Sequence, residues 1–150
     1  MIIELQDKSY ITLAEADGIV VSEYYSDNPH KKLWDSLDDG DKAKILIQGT
    51  RDLETLNYIG TRGNNKWLKW PRFIGGELIT PIEIKRAVIE QGLSGYIREL
   101  DDRVRLQELG VTQISIGPSS ESYKNSGGIP IINRRVMATI NRYILKSIKV

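Results

Sequence analysis

Three groups of residues have the types and spacing to do chemistry. The first is NKWLKWPR, residues 65 to 72, which holds two of the chain's three tryptophans beside Lys66, Lys69 and Arg72. Indole faces could stack bases while the cations neutralise phosphates, as in single-stranded nucleic-acid sites. The same residues could dock another protein, or Trp67 and Trp70, three apart, could clamp a loop onto the core while the cations stay wet. The second group is His30, the only histidine, in a polar NPHKK turn where solvent exposure is the expectation. The third is the acidic DDGD at 38 to 41. A calcium loop with Gly40 as its glycine would place Leu37 and Leu46 at ligand positions three and twelve, and neither can ligate. No phosphate-binding Gly-rich loop and no Gly-x-Ser-x-Gly elbow occurs. We therefore expect no catalytic, cofactor or metal site, and no enzyme.

The elements that must position these residues are mostly helical. Thr12 and Glu15 form a capping box, and Ala16, Ile19 and Val20 continue at helical spacing, which predicts a helix over about 13 to 25. Asn28-Pro29 then breaks it. A second helix is expected from Asp38 or Asp41 to Leu56, with Leu46, Leu53 and Leu56 on one side, Ala43 and Ile47 nearby, and the aspartates at the positive end of its dipole. Glycines 60, 63, 75 and 76 and Pro71 erase any period over about 57 to 79, which reads as a long loop. Thr80, Pro81 and Glu83 start the strongest helix, 81 to about 101, whose stripe is Ile84, Ala87, Val88, Gln91, Gly92, Gly95 and Tyr96. Gly92 and Gly95 inside it imply close approach of a neighbour or a bend. Ile114 and Ile116 alternate before Gly117-Pro118, so an extended or β-hairpin arm is expected over about 111 to 128. Helical spacing resumes through Ile132, Val136, Ile140, Tyr143 and Ile144. The fold class is thus mainly α, a small bundle of about four helices in a single domain over 1–150.

Composition narrows the function classes. Basic and acidic residues number 21 and 20, a net charge of +1, which argues against coating duplex DNA through overall charge. Any nucleic-acid contact must come from a local patch. Without cysteine there is no disulfide, thiolate metal site or catalytic thiol. No apolar run approaches the roughly 18 residues of a membrane span, and the start lacks the features of a signal peptide. A cytosolic place of assembly and no membrane partner are the expectation.

The order of motifs resembles a known family. SYITLAEADGIV, then WDSLDDGDKAK running on to TRDLETLNYIG, then the KWPR box and TPIEIKRAVIE, are similar to the head-to-tail adaptor proteins of tailed bacteriophages. That group includes sequences catalogued as DnaT-like single-stranded DNA-binding proteins. ISIGPSSESY resembles the family's connecting extended segment, and GIPIINRRVMATINRYI its closing helix. The resemblance covers nearly the whole chain, with Trp34 to Gly60 and the W-P-R box carrying most weight. RELDDRVRLQELGVTQ departs from it in length and charge.

The resemblance implies a virion structural protein of the head-tail connector or neck, assembled in the host cytoplasm. It implies a ring of twelve copies under the portal, extending the channel through which genomic double-stranded DNA passes non-specifically. Its partners would be the portal protein, the next neck or stopper component and its own copies. The portal-docking segment would map onto about 130–150, with Arg134, Arg135, Arg142, Tyr143, Lys146 and Lys149 as candidate contacts. Lys66, Trp67, Lys69, Trp70 and Arg72 would be candidates for a ring neighbour or the channel. The alternative is a single-stranded nucleic-acid binder using the Trp/Lys/Arg loop.

Overall fold

The computed structural model describes residues 8–63, 68–108 and 131–145, with backbone alone for 103–108. The chain is mainly helical. In order come α1 (Leu13–Glu23), α2 (Pro29–Ser36), α3 (Asp39–Leu53), strands β1 (Thr61–Arg62), β2 (Arg72–Ile74) and β3 (Glu77–Ile79), α4 (Ile82–Glu108) and α5 (Arg134–Ile140). A 3₁₀ turn, Asn141–Tyr143, follows α5.

Local chemistry sets these boundaries. The capping box of α1 forms as expected: Thr12 Oγ1 accepts from Glu15 N and Glu15 Oε1 from Thr12 N, both at 3.1 Å. Asp38 caps α3 by accepting from Asp41 N at 2.8 Å. The segment read as a polar turn is instead a helix, α2. Asn28 stays extended at φ −63°, ψ 127° and accepts from His30 N, while Pro29 fills the first helical position, where its missing N–H costs nothing. The turn signal was real, but it marked the entrance of a helix.

Helices α3 and α4 form the centre. They cross antiparallel through two glycines: a Cβ on Gly49 would stand 2.3 Å from the Val88 carbonyl oxygen, and one on Gly92 would stand 2.3 Å from the Ile45 carbonyl oxygen. Only residues without a Cβ let the backbones approach so closely. Gly95 plays no such part, since a Cβ there would meet nothing within 4 Å. Leu46 and Leu53 of α3 and Ile84, Val88, Ile89 and Leu93 of α4 are buried in one cluster with Val20, Trp34, Trp70, Val136 and Ile140. Helix α1 is strapped to α4 by Lys85 on Glu15 and by both Arg86 nitrogens on the Glu23 carboxylate, at 2.7 and 2.9 Å.

The stretch read as a long loop holds a small antiparallel sheet of order β1-β2-β3. Phe73 pairs with Thr61 on one side and Leu78 on the other, and Arg72 with Arg62 and Ile79. The β2–β3 turn is Gly75-Gly76, at φ +60° and +87°, the left-handed pair a tight hairpin needs. Each strand is two or three residues long, too short for a period-2 pattern to register in sequence. The closing segment is also shorter as a helix than its spacing implies. Past the 3₁₀ turn, Ile144 pairs antiparallel with Tyr58, with Ile59 N donating to Tyr143 O and Leu145 N to Asn57 O, both at 2.9 Å. The expected arm at 111–128 lies outside the described residues.

Candidate functional site

The candidate loop is built around Trp70, which is 1% exposed. Tyr58 and Tyr143 meet its ring edge-on, with centroids 5.2 and 5.8 Å away. These three aromatics come from the end of α3's connection, the W-P-R box and the 3₁₀ turn, so a single indole joins three distant stretches of chain. Tyr58 Oη donates to Leu53 O at 2.7 Å, and Tyr10 Oη donates to Glu54. Burial pushes both phenol groups well above the ordinary tyrosine range.

The two described cations of the box, Lys69 and Arg72, are bound to backbone carbonyls. Arg72 spreads its guanidinium over backbone carbonyls: Nε to Ile59 O at 2.8 Å, Nη1 to Lys69 O at 3.2 Å, and Nη2 to Tyr58 O and Gly60 O at 3.3 and 2.9 Å. Lys69 Nζ donates to Leu56 O and its backbone N–H to Glu54 Oε2, both at 2.8 Å. Of the three readings open to NKWLKWPR, the anchor is the one these contacts support for Lys69, Trp70 and Arg72. Lys66 and Trp67 lie outside the described residues. Arg72→Ala is expected to strip a charged fork from four carbonyls and cost about 2–3 kcal/mol, measured by urea denaturation. Arg72→Lys should recover only part of it, because an ammonium cannot serve the same planar set.

The candidate docking residues at the C-terminal end divide differently. Arg134 and Arg135 are exposed at the start of α5, after Asn133, whose Oδ1 caps the helix by accepting from Arg135 N at 2.8 Å. Arg142 is exposed, with Nη1 3.7 Å from Glu83 Oε2 and its guanidinium 5.9 Å from the Tyr143 ring centroid. Tyr143 faces inward against Trp70, its hydroxyl 3.3 Å from Glu83 Oε1. Lys146 and Lys149 lie outside the described residues. Three arginines and no carboxylate in 131–145 leave this end basic.

Two polar groups on α4 matter more than their sequence setting indicates. Gln91 is fully buried with its amide satisfied: Nε2 donates to Asp52 Oδ2 at 2.9 Å and Ile131 O at 3.0 Å, and Oε1 accepts from Asn133 N at 2.9 Å. Asn133 Nδ2 adds a bond to Ser94 Oγ at 2.9 Å. This set seats the returning chain before α5. A glutamine within an apolar stripe is the signal that could have singled it out. Glu90, one residue earlier, accepts from Tyr24 Oη and sits 3.3 Å from His30 Nδ1. His30 is thus half-buried on a helix and partnered.

Among the described residues no cluster of His, Asp and Glu could hold a metal ion, and no helix is long and apolar enough to cross a membrane. Compared with protein-family models, curated proteins and solved structures, the chain matches none.

Proposed function

We propose that this chain is a virion structural protein, a head-to-tail connector adaptor. In this reading it assembles as a ring of twelve beneath the portal, extends the DNA channel and joins it to the next neck or tail component. The observation that carries the reading is the ordered run of motifs from SYITLAEADGIV to GIPIINRRVMATINRYI over nearly the whole chain. The structure supports it in two ways. The W-P-R box is spent on holding the subunit together, while Arg134, Arg135 and Arg142 remain at the surface. A ring contact is heterologous, so each subunit must offer two different faces.

The nucleic-acid reading requires accessible indoles and free cations on one loop. Trp70 is buried and Arg72 and Lys69 are bound to carbonyls, which weighs against it. Imaging by mass photometry or negative stain, with the portal present and absent, separates the two, alongside titration of a fluorescent oligonucleotide. Rings or a portal complex without oligonucleotide affinity are expected, with portal association weakened by Arg134→Glu plus Arg142→Glu. A subunit that ignores the portal and binds the oligonucleotide in a salt-dependent way, lost on Trp67→Ala, would overturn the proposal.

A further inference from the structure

A contact that closes a ring joins two different faces, so one chain must carry both halves of it. Exposed apolar side chains among the described residues supply two such faces on separate elements. The first is the α1–α2 corner. Val21 and Tyr25 there are 71% and 82% exposed, more than any other large apolar side chain described. Val21 falls outside the buried stripe of α1, which is Ala16, Ile19 and Val20. Tyr24 is extended at φ −99°, ψ 136° and gives its hydroxyl to Glu90, so Tyr25, the next residue, is turned the other way, to solvent.

The second is the outer face of the small sheet. On β2, Arg72 bonds backbone carbonyls of its own subunit and Ile74 packs against the core, so Phe73 between them stands on the opposite side. Leu78 is its cross-strand partner and shares that face. Phe73, the chain's only phenylalanine, and Leu78 are both exposed. A Cβ on Gly63 would come 2.7 Å from Leu78 Cδ1, so the apolar face extends over the end of β1.

The two faces differ in charge. Residues 9–30 hold Glu15, Asp17, Glu23 and Asp27 and no lysine or arginine. Lys85, Lys42 and Arg86 pair with the first three, while Asp27, exposed two residues beyond Tyr25, has no ion pair among the described residues. Residues 55–76 hold Arg62, Lys66, Lys69 and Arg72 and no carboxylate. Lys69 and Arg72 are bound to carbonyls, which carry no net charge, so these bonds leave both positive charges standing. Glu77 is the one carboxylate in the three strands. We propose that the α1–α2 corner of one subunit docks on the outer sheet face of a second copy, Val21 and Tyr25 against Phe73 and Leu78, with Asp27 toward the cations. The contact rests on the ring reading above and supplies its two faces. An apolar centre with an aromatic anchor and a charged rim is the ordinary composition of such an interface. Because the faces differ, every added copy brings a new sheet for the next corner until the ring closes.

The absence of cysteine makes the contact testable by cross-linking in the full chain. Tyr25→Cys and Leu78→Cys are single changes at exposed positions, which keeps the core intact. The two variants are mixed where mass photometry shows assemblies, alone or with the portal, and treated with a short bis-maleimide. A cross-linked dimer is expected from the mixture and from neither variant by itself, and a chain carrying both changes should give a ladder. Tyr25→Ala should weaken assembly roughly tenfold, and Asp27→Lys should slow it at low salt more than at high salt. Assemblies that cross-link only between identical variants, or not at all, would overturn the contact while leaving the ring reading in place. No assembly, alone or with the portal, would overturn the ring reading and the contact with it.

Discussion

Gly92→Ala is expected to lose about 3 kcal/mol of folding free energy, the upper end of what overpacking a core costs. The added methyl would lie 2.3 Å from the Ile45 carbonyl oxygen and 2.7 Å from Ile45 Cγ2. Backbone cannot rotate out of the way as a side chain can, so the helices must part and loosen every contact along the crossing. Gly49→Ala should cost a similar amount from the other side, against Val88. Gly95→Ala, three residues along the same helix and open to space, should instead gain about 0.5–1 kcal/mol by reducing the freedom of the unfolded chain. Urea denaturation of the three variants reads the contrast directly. A Gly92→Ala chain within 0.5 kcal/mol of wild type would mean that the crossing is far more compliant than its geometry implies.

Gln91→Leu is expected to cost about 3 kcal/mol, although leucine is close in volume and more apolar. The loss comes from the partners left behind: the Ile131 carbonyl, the Asn133 N–H and the Asp52 carboxylate each lose a bond at a part-buried site. Exchange protection should fall first in α5, which that set seats. The deficit should also depend on pH. Burial raises the Asp52 carboxyl above its ordinary value, and the Gln91 N–H pulls it part of the way back. Without Gln91 the native carboxyl binds its proton still more readily. The penalty is therefore full well above the raised native pKa and shrinks as pH falls through it. Equilibrium unfolding at pH 7 and pH 4 checks both parts, and a deficit that grows on acidification would contradict the assignment of Asp52 to this network.

Much of this fold was legible where the signal was local and repeated. The Thr12–Glu15 box and the α4 stripe announce helices because both caps and 3.6-residue periods are properties of adjacent residues. Gly92 was legible as a close approach, while Gly95 carried the same expectation without the neighbour to require it, because sequence does not say which helix face meets another backbone. Helix α2 was missed since Asn-Pro can end one element or begin the next, and only the buried Trp34 decides between them. The role of the W-P-R box turned on long-range partners. Four carbonyls spread over residues 58 to 69 converge on one guanidinium, and no spacing rule anticipates that. His30 and Glu90 are likewise sixty residues apart and neighbours only after folding.

The pairing of Ile144 with Tyr58 has a consequence in time as well as in space. A ribosome releases the sequence in order, so the α3–α4 crossing can form before α5 and the 3₁₀ turn have been made. Through that interval Trp70 has Tyr58 on one side and water where Tyr143 will sit. The cost of closing so long a stretch is paid late, when most of the chain is already ordered and the remaining search is short. A chain cut after Ile140 would leave Trp70 without Tyr143 against its ring, an apolar face that the longer chain covers.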